Sequence, residues 1–145
     1  MCYADLRGVY TVIRYANTAD FDMVKAYDKH ICESELRNVI NSNRILLMYN
    51  NDVFLGWLRF NLFWDNTPFM NMLFILEQYR GKGYGKQLLN YWEAEMRSDD
   101  YHMVMTSTLS NEQAQFFYRK NGYIDCGSLL LPDEPLEIIF RKNLQ

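Results

Sequence analysis

The sequence predicts an α/β (α+β) protein, a mixed sheet with helices on both faces. Three observations lead there. Strand-like apolar runs and segments of helical spacing follow one another in the order β-α-α-β-β-β-α-β-α-β-β. The run Phe69 to Leu76 is almost wholly apolar, as expected of a strand covered on both faces. The 145 residues are 49% hydrophobic and 16% aromatic, which suits one domain over 1–145 with one sizeable core.

Each element has its own signal. Val9 to Tyr15 reads as a first strand. Asp20 to Ile31 places Phe21, Val24, Tyr27 and Ile31 at helical spacing, and Ser34 to Ile40 reads as a second, shorter helix. After the polar Asn41-Ser42-Asn43, Arg44 to Tyr49 is an apolar strand. Asn50-Asn51-Asp52 is turn chemistry, so Val53 to Phe63 returns as the second arm of a hairpin. Strict alternation would put Phe54, Gly56, Leu58, Phe60 and Leu62 on one face and Leu55, Trp57, Arg59, Asn61 and Phe63 on the other. Asp65-Asn66-Thr67-Pro68 turns the chain into the strand Phe69 to Leu76. A glycine-rich loop precedes a helix with Leu88, Leu89, Trp92 and Met96 on one side. His102 to Thr108 is a strand, and Ser110 with Gln113 fits a capping box that would start another helix. Gly122 is placed as its C-terminal stop. Tyr123 to Leu131 and Leu136 to Arg141 close the sheet around the turn Pro132-Asp133-Glu134-Pro135.

Composition excludes several classes. Net charge is −3, from 15 basic and 18 acidic residues, so nucleic-acid binding is not expected. No apolar stretch approaches the roughly 18–20 residues of a membrane span, and no secretory signal pattern opens the chain. Cys2, Cys32 and Cys126 are odd in number and far apart, and His30 and His102 lack ligand-spaced neighbours, so neither a disulfide framework nor a metal site is expected. A reducing, cytoplasmic location follows as the expectation.

The strongest local signal is Arg80-Gly81-Lys82-Gly83-Tyr84-Gly85-Lys86, between an apolar strand and a helix. Glycine in a helix interior costs roughly 0.5–1 kcal/mol, so three in such a short stretch call for a compensating use. Without Cβ atoms, Gly83 and Gly85 let a ligand approach the backbone. The N–H groups of a first helical turn would point at an anion, and Arg80, Lys82 and Lys86 would add positive charge. A diphosphate suits this arrangement. The P-loop pattern fails, because Gly85-Lys86 is followed by Gln87, and G-x-G-x-G is not the dinucleotide fingerprint. A tight turn with exposed lysines is the plainer alternative.

At these residues the chain resembles the GNAT superfamily of N-acetyltransferases, whose acetyl-CoA motif is Gln/Arg-x-x-Gly-x-Gly/Ala. Arg80 to Gly85 fits every fixed position, and Leu73 to Tyr79 looks like the family's approach to the loop. A second motif matches downstream: Asn111-x-x-Ala114-x-x-Phe117-Tyr118-x-x-x-Gly122-Tyr123. The resemblance is sharp from Phe69 to Tyr123, rests on element order and Ile13-Arg14-x-Ala16 before that, and is loose afterwards.

The resemblance implies a mostly antiparallel central sheet of about six to seven strands with helices on both faces. It implies an acetyl-CoA-dependent N-acetyltransferase acting on a primary amine, with acetyl-CoA as donor and no metal. The amine of a small molecule or a peptide would attack the thioester directly. Phe74, Ile75 and Leu76 would pair through their backbone with the pantetheine arm, and the Ile75 N–H would face the thioester oxygen. The loop residues Arg80, Gly81, Lys82, Gly83, Tyr84, Gly85 and Lys86 would hold the diphosphate. Asn111 would bond the cofactor, or cap the helix that follows. Tyr118 would be the general acid, or else a core aromatic. Many relatives carry a Glu where this chain has Asn71, so the base is unassigned; Thr106, Ser107 and Thr108 could order a water instead. Trp57, Phe63, Trp64, Phe69 and the Pro132 to Pro135 turn are candidate acceptor-lining residues, with Asp65, Asp133 and Glu134 to attract a cation. Homodimers are common in such families. The alternatives are a CoA-binding sensor that does not catalyse, for which Asn71 speaks, and a nucleotide-binding domain, against which the failed P-loop spacing speaks.

Overall fold

A computed structural model describes residues 2–4 and 10–145. The expected first residue of the opening strand, Val9, lies outside them. The chain divides into two compact units, Met1–Asn61 with Met72–Trp92, and Leu62–Asn71 with Glu93–Gln145.

The first unit holds β1 (Cys2–Ala4), β2 (Tyr10–Tyr15), α1 (Phe21–Tyr27), α2 (Glu33–Asn41), β3 (Ile45–Asn50), nearly all of β4 (Val53–Phe63), the end of β5 (Thr67–Ile75) and the start of α3 (Tyr84–Ser98). Its strands lie in the order β1-β2-β3-β4-β5, and the first three pairings are antiparallel. Phe21, Val24, Leu36, Val39 and Ile40 of α1 and α2 pack with Ile45, Leu47 and Trp57. The Phe60 ring meets Trp92 of α3 with centroids 5.7 Å apart. Trp57 and Phe60 differ by an odd number of residues, so the two sets of helices cover opposite faces of this part of the sheet.

The expected alternation along β4 is broken. Met48 pairs with Gly56, whereas Tyr49 pairs with Phe54, so Leu55 is the extra residue of a β-bulge. The bulge moves Phe54 onto the face of Trp57, where their rings stack 6.3 Å apart. The first helix also ends earlier than its spacing suggests, at Tyr27 instead of Ile31. Asp28 turns to extended backbone, and its buried carboxylate accepts from Trp57 Nε1 at 3.1 Å, Arg59 Nε at 2.8 Å and the His30 N–H at 3.0 Å. A buried carboxylate needs such partners, and meeting them takes precedence over another helical turn.

The second unit holds the start of β5, β6 (Met103–Leu109), α4 (Ala114–Lys120), β7 (Ile124–Leu129) and β8 (Glu137–Asn143), with strands in the order β5-β6-β8-β7. β5 and β6 are parallel at Phe69–Met105 and Met70–Thr106, while β6 with β8 and β8 with β7 are antiparallel. The sheet is therefore mixed and mostly antiparallel, as expected. The described residues form eight strands, one more than the sequence pattern indicates; the addition is β1.

Two further expectations change here. β5 is not covered along its whole length: Asn71 and Phe74 are exposed. The Ser110–Gln113 capping box does not form, because α4 begins at Ala114 with Gln113 at its N-cap. Gln115 Nε2 instead donates to the Ser110 and Glu112 carbonyls at 2.8 and 3.0 Å. Gly122 does end α4, at φ +88°, with the Tyr123 N–H returning to the Tyr118 carbonyl at 3.0 Å.

Candidate active site

In the first unit, β5 ends at Ile75, a short 3-10 turn covers Glu77–Tyr79, and the glycine-rich loop leads into α3. The first helical bond runs from the Gln87 N–H to the Gly83 carbonyl at 3.1 Å, so Gly83 is the entry residue. The N–H groups of Tyr84, Gly85 and Lys86 then lack acceptors within the helix. Gly81 and Gly83 have φ of +73° and +85°, which suits glycine. A Cβ at either would meet nothing within 4 Å. The space left by the absent side chains is therefore open to a ligand. Asn50 Nδ2 donates to the Tyr84 hydroxyl at 3.3 Å, and Thr11 Oγ1 donates to Gln87 Oε1 at 3.5 Å, which ties the start of α3 to β3 and β2. Lys82 and Lys86 are exposed.

Arg80 turns back onto β5. Its Nε donates to the Ile75 carbonyl at 2.8 Å, and its guanidinium lies 4.8 Å from the Phe74 ring centroid. The Leu76 N–H donates to the Leu55 carbonyl at 2.8 Å, while its carbonyl accepts from the Tyr79 N–H at 2.9 Å. Neighbouring residues of a strand point their backbone groups to opposite edges. Since Leu76 N–H points to β4, the Ile75 N–H and carbonyl point away from it. The Phe74 ring rests 5.0 Å from Trp57.

In the second unit, Tyr118 of α4 is buried among Phe117, Tyr123 and Phe140, with ring centroids 5.4, 5.6 and 5.9 Å away. Burial pushes its pKa up to about 12; a hydrogen bond with Thr106 opposes that, and the Glu112 charge adds to it. Thr106 Oγ1 itself donates to the Met70 carbonyl at 2.9 Å. Thr108 Oγ1 donates to Glu112 Oε2 at 2.6 Å. Tyr123 donates to Glu93 Oε1 at 3.0 Å and Lys142 Nζ to Glu93 Oε2 at 2.7 Å. Burial first, then Glu93, drives the Tyr123 pKa upward as well. Asn111 is exposed in the turn ahead of α4 and does not occupy its N-cap. Asn71 is exposed on β5.

Of the aromatic residues expected to line an acceptor site, Trp57 belongs to the buried core of the first unit. In the second, the Phe63 ring lies tilted against Trp64 and Phe69, with centroids 4.5 and 5.9 Å away, and Trp64 is 77% exposed. The sequence pattern does not reveal the Leu55 bulge, the Asp28–Arg59 pair or the close approach at Gly56, where a Cβ would stand 2.1 Å from the Phe74 oxygen. A lone Gly inside the apolar pattern of β4 was the one available sign of the bulge and the close approach.

Comparison with known proteins agrees with this architecture. The model of the acetyltransferase (GNAT) family matches residues 10–123. Among solved structures, a GNAT-family acetyltransferase from Bacillus cereus ATCC 10987 is 24% identical with TM-score 0.74, covering 93% of this chain and 98% of its own. A chain of the NatC complex bound to Gag peptide and CoA is 16% identical with TM-score 0.78, covering 93% and 99%. The ribosomal-protein-S18-alanine N-acetyltransferase from Escherichia coli is 12% identical with TM-score 0.76, covering 93% and 94%. At these identities the structures speak for the fold alone. No curated protein matches the chain in sequence. The family match spans most of the chain and takes in both the loop at Arg80 to Lys86 and the Asn111 to Tyr123 motif, and on that ground the chain belongs to the GNAT family of acetyltransferases.

Proposed function

We propose that this chain, acting as one domain over 1–145, transfers the acetyl group of acetyl-CoA to a primary amine. The observation that carries the reading is the open space over Gly81 and Gly83 at the start of a 15-residue helix. Backbone N–H groups at a helix start, flanked by Lys82 and Lys86, have the donor chemistry that a diphosphate needs. Phe74 and Ile75 are assigned to the pantetheine arm, with the Ile75 N–H as donor to the thioester oxygen. Leu76 has its N–H engaged by Leu55, so its contribution falls to its other atoms. Asn111 is assigned to the cofactor by its motif, a role that its exposure and its absence from the cap support.

The neutral amine attacks the thioester carbon, the C–S bond breaks, and the departing thiolate takes up a proton as the amine nitrogen loses one. Tyr118 is assigned to the leaving sulfur. With its pKa near 12 against about 8.5 for a thiol, complete proton transfer would be uphill by roughly 5 kcal/mol. Tyr118 therefore acts as a protonated phenol that hydrogen-bonds the developing thiolate. Asn71 cannot accept a proton, so water carries the proton of the amine.

The acceptor is a small-molecule or peptide amine. The names of two similar folds, one bound to a Gag peptide and one acetylating a ribosomal-protein alanine, favour including peptides among the candidates. No helix among the described residues is long and apolar enough to cross a membrane. The unpaired thiols Cys32 and Cys126 suit a reducing compartment, and we assign the cytoplasm. A CoA-binding sensor without turnover is the second reading, favoured by Asn71. Thiol release from acetyl-CoA with a panel of small and peptide amines separates the two. Release that needs an amine supports transfer; tight CoA binding without release across the panel supports the sensor.

A further inference from the structure

Arg80 occupies the first position of the loop, where its charge invites assignment to the diphosphate, yet its side chain is committed elsewhere. Nε donates to the Ile75 carbonyl at 2.8 Å and the guanidinium covers the Phe74 ring at 4.8 Å. The same short piece of β5 is gripped from β4. The carbonyl of the bulge residue Leu55 accepts from Leu76 N–H at 2.8 Å. A Cβ on Gly56 would stand 2.1 Å from the Phe74 oxygen and 2.9 Å from Ile75 Cα, so only glycine lets the strands come this close. A bulge places Leu55 and Gly56 where both contacts are made. Residues 74–76 are thus held from β4 on one edge and by Arg80 on the other. The Ile75 N–H lies on the edge that Arg80 holds.

We propose that Arg80 is a positioning residue for the Ile75 peptide, holding its N–H in place for the acetyl-transfer step, and is not a ligand of the diphosphate. The inference rests on the proposed transferase reading, which it deepens by dividing the loop's work. Backbone N–H groups with Lys82 and Lys86 bind, and Arg80 serves the reaction. A donor fixed in advance toward developing charge favours the transition state over the bound substrate, so its loss appears in turnover and not in affinity.

Two variants test this. Arg80→Gln loses the charge but keeps a nitrogen donor at the same distance along the side chain as Nε. Arg80→Met loses both. The proposal expects Arg80→Met to lower kcat by about tenfold or more, with the Kd for CoA within twofold of the parent, and Arg80→Gln to recover most of the rate. Amide hydrogen exchange supplies a readout that does not need turnover: the Leu76 N–H should exchange faster in Arg80→Met and remain slow in Arg80→Gln. CoA binding weakened tenfold or more in both variants, with kcat unchanged, overturns the proposal in favour of a phosphate ligand. Unchanged Leu76 exchange in Arg80→Met overturns the bracket itself. If the parent protein transfers no acetyl group, the transferase reading fails, and the exchange measurement still decides whether Arg80 holds β5.

Discussion

The loop at Arg80 to Lys86 and the tyrosine at 118 are polar features of opposite kind. The loop is open and cationic, and what it offers a ligand is backbone N–H groups. Gly81 and Gly83 face empty space, and the lysines are exposed. Tyr118 is 7% exposed, enclosed by aromatic rings, and its hydroxyl resists ionisation. The first arrangement suits holding an anion that arrives from water. The second suits keeping one proton in a fixed place in a medium that penalises charge. Substitutions in the two regions should therefore separate binding from turnover.

The largest expected effect is on turnover. Tyr118→Phe should lower kcat by about 10²-fold, the low end for general-acid groups, while leaving CoA affinity nearly intact. Steady-state kinetics beside equilibrium binding check this. A parent-like rate would reduce Tyr118 to packing.

The same burial has a consequence for stability. The folded-state pKa of Tyr118 lies above the ordinary phenol value, so its stabilising contribution is complete below about pH 10 and is lost as pH rises toward about 12. The loss amounts to about 1.4 kcal/mol per pH unit across that window. Urea unfolding at pH 8 and pH 11 should show a smaller difference for Tyr118→Phe than for the parent. Equal differences would place the hydroxyl in contact with water.

On the binding side, Gly83→Asp should weaken CoA by about tenfold, or about 1.4 kcal/mol. A Cβ at Gly83 meets no protein atom within 4 Å, so the expected effects are the backbone strain of positive φ and a negative charge at the proposed anion site. Gly83→Asn is the control that carries the strain without the charge. It should bind better than Gly83→Asp, and identical affinities for the two would remove charge from the explanation.

The loop was legible because its signal is local: three glycines, three cations, and an apolar run before them. Tyr118 was legible through helical spacing and the motif around it, but its pKa was not, because burial by Phe140 and Tyr123 is a tertiary fact. The Leu55 bulge lay beyond the sequence pattern, since period-two alternation gives no hint of which residue is skipped. The helix pattern ran on to Ile31 because spacing cannot register a carboxylate at Asp28 with partners 29 and 31 positions away. Ser110 and Gln113 had capping-box spacing, yet the turn found its bonds through Gln115.

The smallest effect concerns Asn71. With no carboxylate there and Tyr118 protonated through neutral pH, kcat/KM should rise along the acceptor's own ionisation. Acceptors with pKa near 10 and near 8 should give profiles displaced by about two units. A shared inflection near neutrality would reveal an enzyme base. Asn71→Glu should raise activity at low pH.

Acetyl transfer from acetyl-CoA to an amine is tested by following both products in one reaction. Parent protein, acetyl-CoA and an amine panel are incubated together, and thiol release and acetylated amine are quantified. One acetylated amine per thiol released is expected for at least one acceptor, at a rate lowered in Tyr118→Phe. Thiol release without acetylated amine, or CoA binding with no product from any small or peptide amine, would contradict the proposed transfer.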